Sequence, residues 1–330
     1  MTEKYFENFK VFHLKHFGAQ DQASKNLKER YLEKSENYIT EKLNCIYDSN
    51  NYNRYTNTIP FIVKEDAKWG FKNIVIKVRN PNKTNINEIF KDISFKVGGS
   101  YFDKIYNLDT YLNTFSQLFN IKDTIYGDEY TFIHLPHLIN QNLIYNFPWQ
   151  HIEIICTPNN NKQVNYNDIE FFADKYILSN VKESEVLFYQ CQYNGHLLYN
   201  NSRLIDIIPL NFDHPIYAII IDTDSVEDIE DIERIILQIN SIDVIDISIK
   251  QLEDINKELG YKFKKPTILL SQTFCGYSET TINFSKVNSA KLLIKYTKIK
   301  HTPNIFDIYA INANINKITR DMIGVKFSKI

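Results

Sequence analysis

The chain has 330 residues and a formal net charge of −2 at pH 7. That length can bury one large core or two ordinary ones, and so even a charge balance excludes a global basic field for holding nucleic acid. Its 9 glycines include one adjacent pair, Gly98-Gly99, so neither a dinucleotide-binding nor a phosphate-cradling glycine loop is encoded.

The 22 Tyr and 22 Phe suit the pleated surfaces of strands. Met1-Thr2-Glu3-Lys4-Tyr5-Phe6 shows no basic stretch followed by an apolar one, and no 18-residue apolar run follows, which predicts a soluble chain with no membrane span and no secretory route. Cys45, Cys156, Cys191 and Cys275 lie far apart and form no C-x-x-C, so free thiols in a reducing compartment are expected.

In chain order, residues 21–46 are charged, lack Gly and Pro, and place Leu27, Tyr31, Tyr38, Ile39 and Leu43 at roughly helical spacing. They predict an amphipathic helix. Strands are expected from Phe61 onward. Ile74–Val78 is a compact β run closed by the turn Asn80-Pro81-Asn82, and Ile93–Val97 alternates apolar and polar before Gly98-Gly99 permits a tight turn. Further strands are expected at 131–135 and 152–157. In the latter, alternation points Ile152, Ile154 and Cys156 inward and Glu153 outward.

Between Ile207 and Asp222, Pro209 and Pro215 bracket a polar turn, and neither can sit inside a central strand. Ile208 and His214, each before a proline, are expected to be extended. Ile216–Ile221 then reads as a strand buried on both faces, with Leu210, Phe212 and Ile219 buried near the junction of two domains. Residues 221–260 carry twelve acids and three bases, residues 261–330 three acids and twelve bases. These segments neutralise each other within one domain or across a subunit contact. Ser225 with Asp228 resembles a capping box, and Ile229, Ile232, Ile236 and Ile239 follow at helical spacing, predicting a helix over 228–239. A second helix is expected from about 249 to 259, ended by Gly260. Strands return at 291–296 and 307–315.

Three groups would carry chemistry if any do. Asp222-Thr223-Asp224 at a strand end would supply an aspartyl nucleophile with a general acid or bind a divalent metal, although no glycine follows to wrap a phosphate. The bland alternative is a solvated acidic turn. His134 and His137, with His151, would form a metal trio, but two residues three apart on a strand point to opposite faces. Trp69 and Trp149 would stack a base or sugar, or fill a core.

Leu210-Asn211-Phe212-Asp213-His214-Pro215 before an apolar strand resembles the start of the second jelly roll in the double jelly-roll capsid proteins of nucleocytoplasmic large DNA viruses. Ile93 to Lys104 is similar to that family's strand, glycine pair and Ile-Asp segment, with Phe102-Asp103 in the Ile-Asp place. Tyr111–Leu118 resembles the short helix that comes next. Thr131–Pro136 and Phe147–Ile154 look like its Leu-Pro and Tyr-His-Glu-Val strands, and Glu185–Cys191 would close the first barrel. Thr281–Leu292 is similar to its Asn-Phe-Ser-Arg-Ile-Asp-Asn-Ala segment. Ile308–Ile315, with Met322–Val325, resembles its C-terminal strand and closing Met-x-Gly turn. The matches stand in family order.

The resemblance implies an all-β double jelly roll, that is, two side-by-side eight-stranded antiparallel sandwiches. With the helices expected from the pattern, this gives an N-terminal helical arm at 1–55, a first jelly roll at 56–205 and a second, carrying short inserted helices, at 206–330. It implies a non-enzymatic structural protein of a large DNA virus, with no catalytic, metal or cofactor residue. Its partners would be itself, as a pseudo-hexagonal homotrimer, and other capsid proteins, in the virion or the cytoplasmic viral factory. Only 67 residues, 216–282, separate Pro215 from Asn283, little room for the family's usual tower insertions. The chain therefore reads as a pared-down member serving as minor capsid protein or scaffold. The alternative is a jelly-roll binding module for nucleic acid, glycan or a partner protein.

Overall fold

The computed structural model describes residues 38–42, 59–63, 69–120, 122–135, 144–146, 150, 152–159, 169–177, 184–198, 203–223, 230–270, 282–300, 304–318 and 322–325. They divide into two compact units. One takes the described residues of Leu27–Cys191 and Asn314–Ile330, the other those of Gln192–Ala313.

The first unit begins with β1 (Tyr38–Lys42), β2 (Ile59–Val63), β3 (Trp69–Arg79), the short helix α1 (Ile86–Ile89), β4 (Phe90–Val97) and β5 (Ser100–Tyr106). Helix α2 (Leu108–Phe119), β6 (Ile125–Tyr126), β7 (Tyr130–His134), β8 (Ile144–Asn146), β9 (Ile152–Pro158) and β10 (Ile169–Ile177) follow. One sheet has the order β1-β10-β3-β7-β6, with β8 also on β3, and the other β2-β9-β4-β5. Across β4 and β9, Ile93 faces Cys156, Phe95 faces Ile154 and Val97 faces Ile152. All six are buried. Period-2 alternation therefore decides which face is core, and Glu153 lies half-buried on the other. The second sheet buries Ile74, Ile76 and Val78 of β3 with Ile133 and Phe171. Helix α2 lays Leu108, Tyr111, Leu112 and Phe115 against β4 and β5.

Strand β11 (Ser184–Leu198) carries the chain across the unit boundary. The second unit continues with β12 (Arg203–Pro209), β13 (Pro215–Thr223), β14 (Ile232–Ile239), β15 (Ile242–Ser248) and helix α3 (Ile249–Glu258). Then come β16 (Thr267–Leu269), β17 (Ile282–Asn283), a 3₁₀ turn (Phe284–Lys286), β18 (Ala290–Lys300) and β19 (Asn304–Ile318). The end of β19 belongs to the first unit and pairs there with β20 (Ile323–Val325).

The second unit repeats the connectivity of the first. The order β2-β9-β4-β5 returns as β12-β18-β14-β15, and β1-β10-β3-β7 returns as β11-β19-β13-β16, with β8 on β3 answered by β17 on β13. A helix follows the same hairpin in each, α2 after β5 and α3 after β15. Both hairpins close with two residues at positive φ, as a primed turn requires: Gly98 (57°) with Gly99 (78°), and Asn240 (48°) with Ser241 (65°). Asn240 suits the position because its Oδ1 accepts the N–H groups of Asn288 and Ser289.

Helix α3 forms as its capping residues predict. Ser248 Oγ accepts the Gln251 N–H, Gln251 Oε1 accepts the Ser248 N–H, and Gly260 follows at φ 86°. Of the helix predicted over 228–239, Glu230 is helical, but Ile232–Ile239 is strand β14. Ile235, Leu237 and Ile239 are fully buried at period two, and β15 and β18 pair with them from either side, so tertiary pairing of β-branched residues overrides a spacing shared by both patterns. Likewise Tyr38–Lys42, expected within the helix over 21–46, is strand β1 on β10. The rest of that prediction lies outside the described residues. The prolines sit where missing donors cost least: Pro209 ends edge strand β12 and Pro215 starts β13. His214 is not extended. It holds φ 66°, with its N–H donated to Ser285 Oγ (2.8 Å) and its carbonyl accepting the Phe284 N–H (3.0 Å).

Ser241 is the one residue of these two turns that is neither Gly nor Asn. Ser241→Gly should raise stability by about 0.5–1 kcal/mol by removing the left-handed penalty. In urea unfolding the midpoint should rise with an unchanged slope.

Candidate functional site

The polar residues that do structural work come together at two places, one in each unit. In the first unit Asp103 of β5 is buried, and its Oδ1 accepts the N–H of Lys104 (2.7 Å) and of Cys191 (2.9 Å). Next to it, Gln190 Nε2 donates to the Phe102 carbonyl and Gln190 Oε1 accepts from Asn314 Nδ2 at 3.0 Å. The Phe102-Asp103 pair thus ties β5 to β11. Tyr111 is fully buried beside this group. Burial first, then the neighbouring Cys191 and Asp103, hold its hydroxyl well above the usual range and therefore protonated.

In the second unit the same strand turns its next polar residues to another task. Gln192 Oε1 accepts the Asp213 N–H (2.8 Å), while Asn194 Oδ1 accepts the Asn211 N–H (3.1 Å) and Asn194 Nδ2 donates to the Pro209 carbonyl (3.1 Å). The opposite side of that loop is held by the His214–Ser285 and Phe284–His214 bonds, and Phe212 packs edge-to-face on Phe284 at 6.0 Å. Leu210, Phe212 and Ile219 are all buried, as expected. The Asn-Phe-Asp-His-Pro and Asn-Phe-Ser segments, 71 residues apart at His214 and Ser285, form one clamp. Sequence reading missed Gln190, Gln192 and Asn194. Their period-2 spacing on a strand was the available signal.

No protein-family model matches the chain, and no curated protein does either. Solved structures do match. A quasi-atomic model of the PBCV-1 virus capsid is similar over 91% of this chain and 99% of its own, at 15% identity and a TM-score of 0.68. The Faustovirus major capsid protein matches over 88% and 92% at 8% identity and a TM-score of 0.54. The major capsid protein P2 of bacteriophage PM2 matches over 86% and 99% at 13% identity and a TM-score of 0.52.

This chain has the double jelly-roll fold. The repeated connectivity of its two units is that fold's two barrels, and the two polar clamps lie on motifs by which the sequence resembles the capsid family.

The double jelly roll also accounts for the groups that suggested chemistry. Asp222 ends β13 with its carboxylate buried, and Lys265 Nζ stands 2.5 Å from its Oδ1. The Ile221 N–H donates to the Pro266 carbonyl alongside, so the pair fastens the β13 end to the loop before β16. Asp224 lies outside the described residues. His134 is half-buried on β7, and its pKa is lowered by burial and by Lys122 against an opposing pull from Asp123. His137, His151 and Trp149 lie outside the described residues, and Trp69 is on β3. Among the described residues no three His, Cys, Asp or Glu side chains are grouped to hold a metal. Cys156 is a buried free thiol and Cys191 a half-buried one.

The acidic and basic segments meet inside the second unit. Besides Asp222–Lys265, Glu233 pairs with Lys295 (3.1 Å) and Asp231 with Lys298 (3.0 Å). For these residues the within-domain alternative holds.

Lys265→Met would remove this cation from the buried Asp222 carboxylate, at a cost of at most roughly 3–5 kcal/mol. Adding Asp222→Leu should recover most of that loss in thermal or urea unfolding. Under a catalytic or metal-binding role for Asp222, the recovered fold would instead come with a lost activity or a lost metal-dependent rise in melting temperature.

Proposed function

We propose that the chain is a non-enzymatic, capsid-like structural subunit of a large DNA virus, acting in the virion as a shell or scaffold component and assembling as a homotrimer with pseudo-hexagonal outline. The observation that carries this reading is the repeat. Each unit contains one complete jelly roll with the same strand order and the same helix after the same hairpin. A ring of three copies then contains six like units, which is what a hexagonal tile needs from a threefold assembly. The similarity to capsid chains covers 91% of this chain and 99% of the PBCV-1 chain, which supports a structural role. The buried polar groups described above serve register and packing, and shape is what a tile requires of its subunit.

In the barrels proposed at 56–205 and 206–330, β11 is the strand that serves both, Gln190 and Cys191 bonding within one unit and Gln192 and Asn194 within the other. Light scattering on the full chain at micromolar concentration should return three times the 39.0 kDa chain mass, and negative-stain images should show particles with six similar corners. Monomer alone at all concentrations would remove the tile and shift the weight to a monomeric binding module.

A further inference from the structure

We propose that Asn194-Gly195 is a deamidation site kept closed by the clamp on the Leu210–His214 loop, and that its conversion to aspartate or isoaspartate breaks the Asn194 side of that clamp. Every residue involved lies in the second unit, so the site is independent of how copies assemble.

Asn194-Gly195 is the one Asn-Gly dipeptide of the chain. In such a pair the glycine nitrogen, unhindered by a Cβ of its own residue, attacks the side-chain carbonyl carbon of the asparagine. Ammonia leaves and a succinimide ring forms. Water then opens the ring at either carbonyl, giving aspartate or isoaspartate. Separate structural demands hold both residues in the sequence. Gly195 is exposed, yet a Cβ there would overlap the Tyr193 hydroxyl. That hydroxyl is tied down: it donates to Asp307 Oδ1 at 2.6 Å, and its ring packs on Tyr309 at a centroid distance of 5.3 Å. Asn194 uses both ends of its amide, Oδ1 accepting the Asn211 N–H and Nδ2 donating to the Pro209 carbonyl, each at 3.1 Å. An ionised aspartate only accepts, so it cannot replace the second bond. The fold thus retains a chemically labile pair in an exposed stretch of β11.

While the loop is seated, its two bonds hold the Asn194 side chain, and both residues of the pair are extended within β11. Closing the succinimide ring requires the Asn194 backbone to leave that geometry. Attack therefore waits for a local opening in which the loop releases Asn194 and this part of β11 leaves its neighbour β19. Reaction changes what can close again. Aspartate sets a carboxylate oxygen against the Pro209 carbonyl where Nδ2 donated, acceptor facing acceptor. Isoaspartate routes the main chain through Cβ and adds a backbone atom, so the residues after it lose register with β19. Either product adds a negative charge. The Gln192–Asp213 and His214–Ser285 bonds are then left to hold the loop.

The test follows deamidation at residue 194 by peptide mapping of the full chain at mildly alkaline pH. The folded protein should react at least about tenfold more slowly than the protein unfolded in urea. Ser285→Ala removes the acceptor of the His214 N–H on the far side of the loop. With native circular dichroism, it should raise the folded rate about fivefold. Independently of any variant, urea well below the unfolding midpoint should speed the wild-type reaction with a shallower slope than global unfolding has. Asn194→Asp, which installs one product directly, should lower the melting temperature by about 2–4 °C. Equal rates in folded and unfolded protein would overturn the protection. A folded rate that neither Ser285→Ala nor low urea moves would overturn the role of the clamp, and an Asn194→Asp variant that melts with the wild type would overturn the consequence.

Discussion

Strand register in this molecule depends on buried and half-buried polar side chains. Asp103 accepts two backbone N–H groups, Gln190 is held between the Phe102 carbonyl and Asn314, and Gln192 anchors the loop that leads into β13. A hydrophobic face alone permits a slip of two residues, because the same faces are buried afterwards. A slip of either kind here would strand a buried amide or carboxylate, at about 1–3 kcal/mol for each unsatisfied group. Such groups add little net stability when satisfied. Their effect is to make wrong pairings expensive, which a fold built almost wholly from non-local strand pairs requires.

The repeat shows which parts of the sequence that requirement constrains. Both units use a two-residue turn at positive φ at the same point, yet one is Gly-Gly and the other Asn-Ser. Backbone geometry is shared and the chemistry that achieves it is not: glycine lacks the Cβ that would clash, whereas Asn240 is fixed by two backbone donors from the segment before β18. The helices after the paired hairpins diverge in the same way. Helix α2 buries Leu108, Tyr111, Leu112 and Phe115, whereas α3 buries Leu252 and Asn256 and exposes acids.

Much of the fold was legible where two independent signals agreed. Ile93–Val97 alternated and ended at a glycine pair, and β4 with its turn is the result. Gly260 and the Ser248 cap marked α3, and the prolines at 209 and 215 marked strand ends. Reading failed where one signal stood alone. Ile232, Ile236 and Ile239 fit a helical spacing, but Ile235, Leu237 and Ile239 fit a strand equally well, and only pairing with β15 and β18 decides between them. His214 departed from the usual residue-before-proline geometry because hydrogen bonds from the distant 284–285 segment hold it. The polar clamps were partly visible as motifs, but their partners on β11 were not, since the period-2 spacing of Gln190, Gln192 and Asn194 marks one face of a strand without naming what that face meets.

Charge illustrates how local structure redirects a global pattern. The acidic and basic segments balance in sequence, which leaves open a pairing within one domain or across a subunit contact. Folding brings them together first: Asp222, Asp231 and Glu233 each find a lysine within their own unit. An exposed pair contributes about 0–1 kcal/mol, so Asp231–Lys298 and Glu233–Lys295 fasten β14 to β18 only lightly, whereas the more buried Asp222–Lys265 pair would be costly to break.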